Sequence, residues 1–222
     1  MAKAAAFFDV DGTLVDSTVV HPFAWYASHQ ALPHKSALRL ARCLLLLPFY
    51  WTLDQVNRRA FNKVFFREYQ GMSRNRLMAL AETMYTDYIG PRIYPGGRDM
   101  LAQVRADGLT PVLVTGALYF TVAPLARDFG IEHVIANRLE FQESMATGKL
   151  EGPIVAGETK RELIEEFAAA HDIDLAQSYA YGDSFSDLPM LQAVGHPTAV
   201  HPDARLVRIA RQQQWPVTRW KS

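Results

Sequence analysis

Cysteine is almost absent: Cys43 stands alone in a chain of 222 residues. One cysteine excludes an intrachain disulfide and fits a reducing compartment, so a cytoplasmic setting is expected. Cys43 sits in an apolar run, which makes it a packing residue rather than a nucleophile. Net charge is absent too, with 23 basic and 23 acidic side chains. That balance argues against nucleic acid as the main partner, and leaves room for a local basic pocket. No apolar run reaches the roughly 20 residues that a transmembrane segment needs. The N-terminus passes from one Lys straight into a strand-like run, with no signal-peptide pattern. The seven His are scattered, and no pair sits at zinc-ligand spacing with a Cys or a third His. There is no internal repeat and no low-complexity segment. What remains is 49% hydrophobic and 21% charged, ordinary for a soluble globular chain with one large domain or a core with an insert.

Ala4 to Val10 reads as a first strand. From about Asp16 to Arg92 the apolar spacing turns helical, as in Leu77, Leu80, Ala81 and Met84. Residues 16–92 are therefore expected to form a helical cap inserted into a core of residues 1–15 and 93–222. The breaker clusters Gly90-Pro91 and Tyr94-Pro95-Gly96-Gly97 close the insert. Beyond them a βα rhythm sets in. Helices are expected over Arg98 to Asp107, Phe120 to Phe129, Glu158 to His171 and Asp187 to Gln192. Strands are expected at Pro111 to Thr115, at Val134-Ile135, at Ser178 to Tyr181 and, last, at Thr198 to Val200. Arg138 to Phe141 and Lys149 to Glu151 suit a hairpin. Such alternation implies an α/β fold, a doubly wound parallel sheet with helices on both faces. The run from Cys43 to Trp51 is expected to be core of the insert. Its alternative is an apolar wall or membrane-facing surface of a lid that receives a greasy substrate.

Four sites carry chemistry. Phe7-Phe8-Asp9-Val10-Asp11-Gly12-Thr13 is an apolar strand that breaks into a tight acidic loop. Two carboxylates so close repel unless a cation or proton sits between them. Alone, the loop suits either a solvated acidic turn or a Mg²⁺ site with one acid as nucleophile and the other as proton donor. Val114-Thr115-Gly116 ends a second strand with a hydroxyl and adjacent amides, either a plain turn or a phosphate cradle. Lys160 opens a helix, where its charge opposes the helix dipole. It is either a surface lysine or a neutraliser of phosphate and aspartates. Gly182-Asp183 follows another strand, with Asp187 three residues beyond Ser184. Asp183 can ligate a metal directly; Asp187 can cap the helix, or orient the ligand and the lysine from behind. All four fall at the strand-end rim, where a doubly wound sheet binds its ligand.

In this order the motifs resemble those of the haloacid dehalogenase superfamily of phosphohydrolases, in the branch that includes phosphoserine phosphatase. Thr115 and Lys160 are 45 residues apart, and Lys160 and Asp183 are 23 apart, as suits that branch. Gly148 to Ile154 also resembles its sequence before the motif lysine. The resemblance spans about residues 4–15 and 95–200; the insert is similar only in being helical. It implies Mg²⁺-dependent transfer through an aspartyl-phosphate. Asp9 would be nucleophile and metal ligand. Asp11 would be general acid and then base, touching the metal through its backbone carbonyl. Thr115, Gly116 and Lys160 would hold the phosphoryl group, and Asp183 would complete the metal site. The implied partner is a small-molecule phosphate monoester, and the apolar insert leaves room for an apolar or lipid-type one. Two departures count against phosphoserine itself. Asp16 is the only acid shortly after the first motif, where a Glu is usual. The fourth motif reads Gly-Asp-Ser-Phe-Ser-Asp rather than Gly-Asp-Gly-x-Asn-Asp. Arg58, Arg59 and Arg67 are candidate contacts from the insert.

Overall fold

The computed structural model describes residues 3–30 and 33–220. Seven strands form one sheet: β1 (Ala5–Phe8), β2 (Thr110–Leu118), β3 (His133–Gln142), β4 (Met145–Glu151), β5 (Tyr179–Gly182), β6 (His196–Val200) and β7 (Val217–Thr218), in the order β4-β3-β2-β1-β5-β6-β7. Neighbours are parallel except β3 and β4, an antiparallel hairpin at one edge. The chain builds outward from β1 on one side through β2 and β3, then on the other through β5 and β6. This reversal opens a crevice at the end of β1, the place where open α/β sheets hold ligands.

β1 shows why the sheet is covered twice. Its side chains alternate in direction, as the strand repeat requires. Phe7 joins Val112, Val114, Ile164, Met190 and Leu206 on one face. There α7 (Glu158–His171), α8 (Leu188–Gln192) and α9 (Ala204–Gln212) pack. Phe8 joins Leu101, Leu113 and Leu125 on the other, under α5 (Pro95–Ala106) and α6 (Tyr119–Asp128). Both rings are fully buried, so β1 is apolar throughout, as a strand covered on both faces must be.

Between β1 and α5 the chain is helical: α1 (Val20–Ser28), α2 (Pro33–Val56), α3 (Arg58–Phe65), α4 (Arg74–Met84) and short 3₁₀ and π turns. Asn57 starts α3 by accepting the Ala60 amide at 2.9 Å, a standard side-chain cap. Aromatic rings fill this part, Phe23 meeting Phe65 edge-on at 5.6 Å and Tyr69 at 5.1 Å. Its buried side chains run on into the Phe8 side of the sheet. Among the described residues no helix is long and apolar enough to cross a membrane.

Several expectations need correction. Val134-Ile135 and the first hairpin arm are one strand, β3; the exposed Arg138 and half-buried Glu140 hide the pattern, because this edge is open to solvent. The helix expected from Arg98 begins at Pro95, since proline suits a first helical turn. β6 is not the last strand; β7 adds two residues to its outer edge, too short for any periodicity. Cys43 and Tyr50 are buried, but Leu44, Leu45, Phe49 and Trp51 are exposed, so most of the apolar run is not core. Trp220 is buried, its ring 5.7 Å from Tyr181 and 6.5 Å from Phe8. A Cβ on Gly96 would stand 2.9 Å from that of Trp220, so the tail seals the sheet only because Gly96 lacks one. Trp215 packs on the opposite core.

Candidate active site

The loop after β1 is wound tightly. The Val10 carbonyl accepts amides from Thr13, Leu14 and Val15 at 3.3, 2.9 and 3.0 Å. Gly12 makes the winding possible with φ of +86°, and a Cβ there would overlap the Asp183 carboxylate. Glycine alone meets both demands. The Asp9 amide donates to the Tyr181 carbonyl at 3.0 Å, which locks the loop to β5 and brings Asp9 beside Asp183. Thr13 reaches the same carboxylate, its hydroxyl 3.4 Å from Asp183 Oδ1.

Lys160, third residue of α7, is 3% exposed. Its ammonium donates to Asp9 Oδ1 and Asp187 Oδ1, each at 2.6 Å. The helix start that disfavours its charge is thus offset by two carboxylates. Asp187 is held in turn: its Oδ2 accepts from the Ser184 amide at 3.1 Å and the Ser184 hydroxyl at 2.9 Å. Asp187 thus holds the lysine as expected, but its side chain does not cap α8; it closes the Ser184 turn before that helix. Carboxylate oxygens of Asp9, Asp183 and Asp187 lie within 4.8 Å of one another. The Asp11 side chain is not in that trio, and among the described residues its buried Oδ2 has no hydrogen-bond partner.

The electrostatics follow from burial. Asp9 is pushed up to about 7, first by loss of water and then by Asp187 and Asp11, against the pull of Lys160. Asp183 rises well above the carboxylate range through burial and the charges of Asp187 and Asp9. Burial also raises Asp11, against Arg58. At Asp187 burial is outweighed by Lys160 and by the Ser184 hydrogen bonds, so its carboxyl lies below its ordinary value. Burial would lower Lys160, but Asp187 and Asp9 overcome it and raise it. One ammonium among so many acids leaves a site short of positive charge.

Thr115 and Gly116 lie within β2 rather than past its end, where the register with β3 slips between Thr115 and Leu118. The Thr115 hydroxyl accepts the Ala117 amide at 3.1 Å, which leaves its proton to donate. Asn137 fixes this turn by donating to the Gly116 carbonyl at 2.7 Å while accepting the Val155 amide at 2.9 Å. Asp9, Asp11, Thr115, Lys160, Asp183 and Arg58 share a cavity of about 210 Å³. Of the three arginines singled out, Arg58 reaches this cavity, anchored 2.5 Å from Asp54. Arg59 lines an adjoining groove and Arg67 a separate one with Lys63 and Lys149.

Two residues lacked any sequence signal. Asn137 is one. The other is Asn62 on α3, fully buried, with no partner for either amide atom among the described residues. A Cβ on Gly116 would lie 3.2 Å from its Nδ2, so the amide faces the Thr115-Gly116 turn.

The haloacid dehalogenase-like hydrolase family model matches residues 6–192. The chain belongs to this family. It is 32% identical over 216 residues to phosphoserine phosphatase SerB1 of Mycobacterium tuberculosis, covering 96% of this chain and 70% of that one. A Bordetella pertussis protein of unknown function, whose crystal structure is solved, superposes with a TM-score of 0.82 at 27% identity, covering 99% of this chain and all of the other. A substrate-bound phosphoserine phosphatase superposes with a TM-score of 0.74 at 17% identity, covering 100% and 94%, and shares the fold. As a haloacid dehalogenase-like hydrolase the chain is an enzyme of the phosphohydrolase type.

Proposed function

We propose that this enzyme is a Mg²⁺-dependent phosphatase of a small organic phosphate monoester, acting through an aspartyl-phosphate on Asp9 in a cytoplasmic setting. The observation that carries this is the buried Asp9 carboxylate at the end of the central strand, 2.6 Å from Lys160 and grouped with Asp183 and Asp187.

The donor set fits a hard divalent cation, being all carboxylate and carbonyl oxygen. The raised Asp9 and Asp183 carboxyls are the sign of uncompensated charge that such an ion removes. Asp9, Asp183 and the Asp11 backbone carbonyl would hold Mg²⁺. When bound, the ion supplies positive charge that relieves repulsion between carboxylate and phosphate and stabilises the transferring group.

The side chains divide the rest. Asp9 attacks phosphorus as the bond to the leaving oxygen breaks. Asp11, whose carboxyl burial raises against Arg58, gives its proton to that oxygen, then takes one from the water that hydrolyses the acyl-phosphate. Thr115, the Gly116 amide and Lys160 hold the phosphoryl oxygens in a site closed to bulk water. Asp187 fixes Lys160. Residues 16–92 act as a cap on a core of 1–15 and 93–222. The two connections lie side by side, with the Asp16 amide 2.9 Å from the Arg92 carbonyl, which suits a hinge that excludes and readmits water. Arg58 faces the leaving group from the cap, and Asn62 stands behind the Thr115-Gly116 turn. An adjoining groove of about 370 Å³, with Val56, Phe185 and Leu188 in its lining, accommodates an apolar or lipid-type leaving group. The 32% identity to SerB1 supports phosphoserine as a second reading.

Mass spectrometry of Asp11→Asn protein, acid-quenched after reaction with an aryl phosphate whose leaving group needs no proton, tests the intermediate. A phosphoryl group on Asp9 is expected. A phosphoryl group on another residue would sink the proposal.

A further inference from the structure

α2 has two apolar faces where a surface helix has one. Cys43 and Tyr50 on the inner face are buried in the aromatic core. The outer face exposes Leu38 (73%), Leu45 (81%), Phe49 (52%) and Val56 (78%). At 3.6 residues per turn these four fall within about 40° of one another, a straight strip along the helix. Leu44 and Trp51, also exposed, lie about 120–140° round the helix from this strip, on a separate flank. Most of the large apolar side chains exposed among the described residues thus sit on one helix. Such a concentration is not the scatter of an ordinary surface. No charge interrupts the chain from Cys43 to Leu53.

Charge says what covers the strip. Residues 34–67 hold seven Lys and Arg and one acid, while the rest of the chain holds 16 Lys and Arg against 22 acids. α2 and α3 run antiparallel: Arg39 near the start of α2 donates to the Glu68 and Gln70 carbonyls just past α3, and Asp54 near the end of α2 meets Arg58 at the start of α3. Arg59 and Lys63 on α3 and Arg67 in the 3₁₀ turn after it are spaced by four residues and all exposed. The acids within reach are engaged already, Asp54 by Arg58 and Glu68 by Arg42 and Tyr50. Stacking two copies through α2, in either direction, would set basic hairpin on basic hairpin. An apolar strip that carries Phe49, on a hairpin rich in cations, matches the interface of an anionic bilayer.

We infer that the outer face of α2 docks on an anionic lipid surface, apolar side chains among the acyl chains and the α2–α3 cations at the headgroups. The strip ends at Val56, in the lining of the groove beside the active-site cavity, so docking turns that groove towards the lipid. The docking itself does not rest on the phosphatase reading.

The test is flotation of the full chain with vesicles of phosphatidylcholine, alone or mixed with phosphatidylglycerol. Wild type is expected to float with the mixed vesicles and about tenfold less with phosphatidylcholine alone, since cation–headgroup attraction drives capture. Leu45→Ser with Phe49→Ser should lose about tenfold of that binding while keeping wild-type turnover of a soluble aryl phosphate, because these side chains anchor but do not react. Lys63→Gln with Arg67→Gln should weaken binding and flatten its salt dependence. Failure of wild type to float with either vesicle would overturn the inference. So would a dimer in sedimentation equilibrium that the double Ser variant dissolves, which would give the strip to a second copy. Turnover of the soluble substrate is scored separately, so loss of docking and loss of catalysis stay distinct.

Discussion

Lys160 and Asp187 form a buried ion pair at 2.6 Å, 27 positions apart, from the start of α7 and the turn before α8. The same ammonium holds Asp9. Asp187 therefore decides where the lysine stands, and through it how Asp9 is presented.

Asp187→Ala leaves Lys160 its second partner, Asp9, but frees the ammonium to move and takes the acceptor from the Ser184 amide and hydroxyl. It is expected to destabilise the fold by about 1–3 kcal/mol in urea titration and to lower turnover of the protein that remains folded. A midpoint matching wild type would contradict this role.

Lys160→Ala should lower turnover by about 10²–10³, the scale of losing one donor to a developing oxyanion. Wild-type turnover in this variant would remove Lys160 from the phosphoryl site.

Asp9 sets a pH dependence whose sign is fixed. Its folded value, about 7, lies above its ordinary 3.8, so between these pH values the folded state holds a proton that the unfolded state has lost. Stability of the metal-free protein should then fall as pH rises from about 4 to about 7 and level off above. Asp183 and Asp11 are raised too and act in the same sense. Asp187 is lowered, so its contribution is lost only in stronger acid, and raised Lys160 matters only at alkaline pH. Melting across this range without added metal checks it. A rising profile would contradict the burial argument, and added Mg²⁺ should stabilise most at the alkaline end.

Gly12→Ala adds a methyl group where Asp183 already stands, at a φ that side chains rarely adopt. Displacement of Asp183 should cost about 100-fold in turnover, the scale of a misplacement of about 1 Å. Full activity would show that the loop can relax.

Asn62→Leu removes two buried polar atoms that have no partner among the described residues. Stability is expected to hold or rise, since each such group costs about 1–3 kcal/mol. A raised KM with kcat retained would assign the amide to the leaving group; a variant that loses stability instead would show that Asn62 is structural.

The clustered acids Asp9, Asp183 and Asp187 were legible because each belongs to a short local run in which an apolar strand breaks into a polar loop. β1, β2 and α7 were legible for the same reason, and α7 was placed to the residue. Asn62 and Asn137 left no local trace: a lone amide reads as surface until the fold brings Gly116 to it. The run from Cys43 to Trp51 misled because apolar composition cannot tell a core helix from one with a second, uncovered apolar face. Trp220 had no legible partner because its contacts, Phe8, Gly96 and Tyr181, lie 212, 124 and 39 residues away in sequence.

The central claim is nucleophilic, metal-assisted phosphate release by Asp9. Phosphate release from a broad panel of monoesters, with Mg²⁺ and with chelator, beside Asp9→Asn, tests it most directly. Release that needs Mg²⁺ and disappears in folded Asp9→Asn is the expected result. Undiminished release from Asp9→Asn would contradict it.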